Sequence, residues 1–268
     1  MSNLIEEKLE TSMQTSIDNK FKNLKLKTAY DYLNQISFTV DGTSNKTIEL
    51  LSDDAICLLG NSGMTNLMLT KIAVHCLMPK KYGGFRSSKV FVLDAGNCTD
   101  VYQFVDFMKQ YGLNIKKNFK KIMISRVFTV YQLTHFLKYE LPKTIYDYRI
   151  NIIVIPDLLA MFLQEAEMDV DEVKFLMAEI ADIFNAITRE GKVLLITSLS
   201  FEDDTLHPFV IDLESRIVKI FNKCVTIDKN KTNDKFKMLI QQKQGTDYVT
   251  TKKYSSLTTE DVLTVIRR

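Results

Sequence analysis

At 268 residues the chain has room for one large α/β domain, or for a core with a small N-terminal piece, and its 46% apolar residues exclude a chain too polar to fold. The net charge of +2 does not by itself imply nucleic acid, but it is uneven: residues 216–268 carry 12 Lys/Arg against 5 Asp/Glu, or +7, which leaves the remainder at about −5. No apolar run approaches the ~20 residues of a membrane span, and the four cysteines lack metal-ligand spacing, so a reduced, cytoplasmic chain with free thiols is expected.

Residues 1–49 read as a helical N-terminal extension and residues 50–268 as the core. Leu4, Ile5, Leu9 and Met13 fall on one face of a helix within about residues 1–20. Such a face needs cover, from its own core or by self-association. A Lys-rich stretch occupies 21–27, residues 30–40 read as a short helix and a strand, and Asp41-Gly42 marks a turn.

From residue 50 the pattern alternates. Strand-like apolar runs stand at 55–59, 89–94, 121–125, 151–155 and 192–197, and their unbroken apolar character suits strands buried on both faces. Helical patterns separate them at 67–77, 101–111, 130–139 and 171–189. The last has Val173, Leu176, Ile180, Phe184 and Ile187 on one face and Gly191 as its stop. This alternation predicts an α/β fold, a mainly parallel sheet flanked by helices. Three short segments at 217–221, 224–228 and 236–241 read as antiparallel C-terminal strands.

The stretch AICLLGNSGMTNL is a strand, a glycine turn and a helix start. Gly60, Asn61, Ser62, Gly63, Met64, Thr65, Asn66 and Leu67 occupy the eight positions of a G-x-x-x-x-G-K-[ST] phosphate loop. Thr65 replaces the second glycine, Asn66 the lysine and Leu67 the hydroxyl residue that would bind Mg²⁺. One lost charged hydrogen bond is worth about 1.5–3 kcal/mol, so ATP–Mg²⁺ binding is expected to be weak or absent, with no cofactor and no metal. Two acids are placed at strand ends, where ligands of parallel sheets gather: Asp94 in VFVLDAGN and Asp157 in NIIVIPDLL. Each could equally cap the turn or helix that follows it. His75, His135 and His207 have no ligand spacing and are given no role.

The order GNSGMTNL, GGF, VFVLDAGN, SRVFTVYQLTHFL, NIIVIPDLL and KVLLITS resembles the RecA-like P-loop NTPase core of the RecA/RadA recombinase superfamily, and in particular its archaeal RadA paralogues. The resemblance covers about residues 48–228. Its most specific segment carries Arg126, Phe128, Tyr131, Gln132 and Leu133. Active members have a Glu just after the second strand to activate water; Asp94-Ala95-Gly96-Asn97 has none. The resemblance implies a non-catalytic paralogue, an accessory protein in DNA recombination or repair that works through a protein partner or self-association, with single-stranded DNA as a further partner. The alternatives are a weak, atypical ATPase completed by another subunit, and an oligomerising scaffold that binds no nucleic acid.

In that family the DNA-binding loops follow the fourth and fifth strands. The equivalents here, 163–172 and 199–209, are acidic, which moves any DNA contact elsewhere. Lys116, Lys117, Lys120 and Lys121 form the first candidate contact; Lys229, Lys231, Lys235 and Lys237 form a second cluster. Solvated charged faces are the alternative for both.

Overall fold

The computed structural model describes residues 34–41, 46–85, 87–164, 168–190, 193–200, 217–230 and 233–265. The apolar face of Leu4, Ile5, Leu9 and Met13, the Lys-rich stretch at 21–27, Gly191, His207, Lys231 and most of the acidic stretch 199–209 lie outside the described residues. The chain divides into two units, Met1–Asn34 and Gln35–Arg268, and the elements below belong to the second.

The strands are β1 (Gln35–Thr39), β2 (Thr47–Leu51), β3 (Ala55–Gly60), β4 (Val90–Asp94), β5 (Ile122–Arg126), β6 (Ile152–Ile155), β7 (Leu194–Ser200), β8 (Lys223–Lys229), β9 (Phe236–Gln244) and β10 (Asp247–Leu257). The helices are α1 (Ser62–Cys76), α2 (Val101–Gln110), α3 (Ile115–Phe119), α4 (Val130–His135), α5 (Leu141–Tyr148), α6 (Ala160–Gln164), α7 (Val170–Glu190) and α8 (Thr259–Leu263). Eight strands form one sheet in the order β10-β9-β8-β3-β7-β6-β4-β5. The pairs from β8 through β5 are parallel, and β9 and β10 extend the sheet antiparallel.

Each central strand sends alternate side chains to opposite faces. Ile56, Leu58, Val90, Val92, Ile152, Val154, Leu194 and Ile196 join α1 and α2 in one core. Cys57, Phe91, Leu93, Ile153, Ile155 and Leu195 join α4, α5 and α7 in the other. That two-sided burial is why the runs read as continuously apolar rather than alternating. The face expected of the long helix is the buried one: Val173, Leu176, Ile180, Phe184 and Ile187 all lie in the second core.

Helix α1 is buried on nearly all sides, from Met64 to Cys76 apart from Asn66. The β1–β2 hairpin and α8 share its core through Phe38, Val40, Ile48, Leu50 and Val262. The expected boundary at 49/50 therefore runs through β2, whose Ile48 is paired with Phe38 of β1. Lys71 stands within this packing and donates to the carbonyls of Val40 (2.7 Å) and Thr264 (2.8 Å).

The C-terminal segments differ from expectation in two places. Residues 217–221 form a helical turn rather than a strand, with Ile220 N donating to Ile217 O and Phe221 N to Val218 O. The segment at 224–228 is a strand, but it pairs parallel with β3 on one side and antiparallel with β9 on the other. Strand β10 had no sequence signal because its side chains are mostly exposed and polar, Leu257 being its buried residue.

Candidate functional site

The carboxyl ends of β3, β4, β6 and β7 gather the residues the sequence singled out. At the end of β3, Gly60 has φ +134°, and a Cβ there would stand 2.1 Å from the carbonyl oxygen of Ile227 on β8. Glycine is thus required by the close approach of a neighbouring strand. Asn61 is the sole residue between β3 and α1. Its Oδ1 accepts from Met64 N at 3.2 Å, and its carbonyl accepts from Thr65 N at 2.9 Å.

Ser62, Gly63, Met64, Thr65, Asn66 and Leu67 are therefore the first two turns of α1, which starts five residues before the expected helix. A phosphate loop instead directs successive backbone N–H groups at a ligand. Met64, Thr65 and Leu67 are buried, and the Thr65 hydroxyl donates to Ser62 O at 3.1 Å. Asn66, at the position of the phosphate-binding lysine, accepts at Oδ1 from the Ser198 hydroxyl of β7 at 3.2 Å.

Both acids stand at the crevice between β4 and β6. The chain leaves β4 through α2 and α3 toward β5, and leaves β6 through α7 toward β7. The two exits run in opposite directions, the arrangement that opens ligand crevices in α/β sheets. Asp94 is fully buried. Its Oδ2 accepts from Arg126 Nη2 (2.9 Å) and Nε (3.0 Å), and its Oδ1 accepts from Cys98 N (3.0 Å). Asp157 has a left-handed backbone, φ +47°, and its N–H donates to the Ser198 hydroxyl at 2.8 Å. Its carboxylate lies 3.4 Å from Ser200 N. Residues 158 and 159 are turns and α6 starts at Ala160, so the helix expected from Leu158 begins two residues later.

The two acid-bearing loops touch. A Cβ on Gly96 would stand 2.5 Å from Asp157 Cβ. Cys98 sits at this junction: burial, then the charges of Asp94 and Asp157, push its thiol up to about 12, against a hydrogen bond from Asn66. A thiol held neutral is a poor nucleophile and a poor metal ligand. Among the described residues no group of three or more His, Cys, Asp or Glu is placed to hold a metal ion. The structure thus brings Asn66, Asp94 and Asp157 together, and adds Cys98, Arg126 and Ser198. Arg126 could have been found from its register opposite Asp94 had β4 and β5 been known as neighbours. Cys98 and Ser198 had no sequence signal.

The segment that carries the resemblance wraps the same sheet edge. Thr129 Oγ1 accepts from Gln132 N at 3.1 Å, Gln132 Oε1 accepts from Phe128 N at 2.9 Å, and Tyr131 donates to Glu172 at 2.7 Å. Arg126, Phe128, Tyr131, His135 and Phe136 line an open cleft of about 660 Å³. His75 is buried against Phe38 and Tyr111, with its Nδ1 3.3 Å from the Tyr111 hydroxyl.

Lys116, Lys117, Lys120 and Lys121 lie on and just after α3, at the amino end of β5, which is the opposite edge of the sheet from Gly60 and both acids. The first three are exposed, and Lys121 donates to Asn118 Oδ1 at 3.0 Å. In the second cluster Lys229 pairs with Asp234 at 3.1 Å. Among the described residues no helix is long and apolar enough to cross a membrane.

No protein-family model matches the chain.

Proposed function

We propose that this chain is a non-catalytic RecA/RadA-type paralogue with a RecA-like core, an accessory protein of DNA recombination or repair. The observation that carries the reading is the β3–α1 corner. One residue, Asn61, links strand to helix, and the phosphate-loop window continues as helix. The N–H groups of Met64 and Thr65 are used within the corner, and Asn66 is tied to Ser198. The nearby acids are engaged as well, Asp94 by Arg126 and Cys98 N, and Asp157 near Ser200 N.

The protein-contact half of the reading is supported by edge strand β5 and the segment after it. Ile124 on the edge strand and Phe128 and Tyr131 just after it are 39%, 68% and 53% exposed, apolar side chains that a partner could cover. The nucleic-acid half is supported by Lys116, Lys117, Lys120 and Lys121, which form no ion pair among the described residues and can each neutralise a phosphate.

The test is a turnover assay with ATP–Mg²⁺ beside binding of single-stranded DNA at low and moderate salt. Absent turnover with weak, salt-dependent binding is expected. Steady turnover abolished by Asn66→Ala would overturn the reading in favour of an atypical ATPase. No DNA binding even at low salt would replace it with a pure protein scaffold.

A further inference from the structure

The amino edge of the sheet holds a cleft that the resemblance does not account for. The segment after α1 folds back on itself: Phe85 N donates to Cys76 O at 3.2 Å, and Tyr82 N to Pro79 O at 2.8 Å. A Cβ on Gly84 would stand 2.0 Å from Met78 O, so this rim is tightly packed. It faces α3 across a cleft of about 400 Å³ lined by Lys80, Ser87, Ser88, Asn114, Lys117 and Lys121 among others. No carboxylate lines it among the described residues. The positive charge continues beyond the cleft to Lys81 on one rim and to Lys116 and Lys120 on the other. On the turn Lys80–Tyr82, Tyr82 lies outside this cleft and lines the neighbouring pocket with His75, Gly83 and Tyr111; its ring is 38% exposed, and Lys81 Nζ stands 4.6 Å from the ring centroid.

We infer that this cleft is a binding groove for single-stranded nucleic acid, in which Lys80, Lys117 and Lys121 neutralise the phosphate backbone and Tyr82 offers a stacking surface for a base. The inference rests on the nucleic-acid half of the proposed function and gives it a site. Lysines stand on both rims of the cleft, Lys80 on one and Lys117 and Lys121 on the other, and a strand carries a phosphate for each. Tyr82 reaches the groove only as the far end of the turn that carries Lys80, and a partly exposed ring next to a run of lysines is a combination that binds single strands without reading sequence. Lysines, unlike arginine forks, give point charges, so little base discrimination is expected.

The test uses the full chain and a fluorescent oligothymidine, with anisotropy read across a salt series. Lys80→Gln/Lys117→Gln is expected to weaken binding about tenfold or more at low salt, and to reduce the slope of log affinity against log salt by about 1.4, two phosphates at 0.7 each. Tyr82→Leu is expected to weaken binding about tenfold with the slope unchanged, and Tyr82→Phe to restore it. Melting temperatures of all variants separate loss of fold from loss of contact.

If the parent binds and both cleft variants bind equally well, while Lys116→Gln/Lys120→Gln does not, the cleft is overturned and the proposed function stands. Loss of binding in the lysine variant with Tyr82→Leu unchanged, and equal competition by polyglutamate, would make the cleft a general polyanion surface and overturn the nucleic-acid assignment. A parent that binds no oligonucleotide at low salt overturns the cleft together with the nucleic-acid half of the reading.

Discussion

Asp94 and Arg126 stand opposite each other in the register of β4 and β5, and two guanidinium nitrogens reach one carboxylate oxygen at 2.9 and 3.0 Å. The acid is fully buried and the arginine side chain is 45% exposed. The acid that sequence position offers to a ligand is thus neutralised by a neighbouring strand. With Cys98 N on its other oxygen, Asp94 fixes the turn after β4.

Arg126→Gln leaves that buried carboxylate without its counter-charge. The expected cost is about 2–3 kcal/mol, below the full range for buried pairs because water still reaches the arginine side. Asp94→Asn in the Arg126→Gln background should recover part of it. Urea denaturation of the two single variants and the double variant measures the coupling, and additive losses would contradict the pairing.

Gly60→Ala meets both a positive φ and the Ile227 carbonyl oxygen. A loss of at least about 2 kcal/mol is expected from left-handed strain and overpacking together. Asn61→Ala removes only the cap of α1, for about 1 kcal/mol. Were Gly60 a phosphate-loop glycine instead, its substitution would be mild without nucleotide and would matter only to nucleotide binding. Thermal denaturation with and without ATP–Mg²⁺ tells the two apart.

Stability should pass through a maximum near pH 9. Burial, opposed by Asp41 and Asp261, lowers Lys71 to about 8 from 10.5. Between those values the unfolded chain holds the extra proton, so stability rises with pH, by about 1 kcal/mol from pH 8 to 9. Burial, followed by Asp94 and Asp157, raises Cys98 to about 12 from 9, and burial raises Cys76 in the same direction. Their contribution is complete below pH 9 and is lost as pH climbs toward the folded values. Above pH 10 Tyr111 and Tyr248, raised chiefly by burial, add to that loss. Denaturation midpoints from pH 7 to 10.5 trace the curve. Lys71→Met should erase the rise and keep the fall.

Cys98 should be unreactive although it is partly accessible. With its thiol near 12, the thiolate fraction at pH 8 is about a thousandfold below that of an ordinary cysteine. Asp157→Asn removes one of the charges that hold it up, so reaction with a disulfide reagent should speed up while the rate at an unfolded control thiol stays the same. Equal rates in both variants would remove Asp157 from the Cys98 environment.

Local patterning was enough to locate the sheet strands at 55–59, 89–94, 121–125, 151–155 and 192–197 and the apolar face of α7, because strands buried on both sides and a long one-faced helix leave unmistakable spacing. Spacing also put Gly60 and Asp94 at the ends of parallel strands and Asp157 just after one, which places them on the same side of the sheet without saying what each touches. What those residues do there depends on partners brought in by the packing of distant strands. Gly60 is required by Ile227, which lies 167 positions away in the chain, Asp94 is taken by Arg126, and Asn66 by Ser198. Such partners are set by which strands become neighbours, and local patterning carries no record of that. The same limit hid the hairpin over α1 and the rim at Lys80, since both are defined by what packs across them.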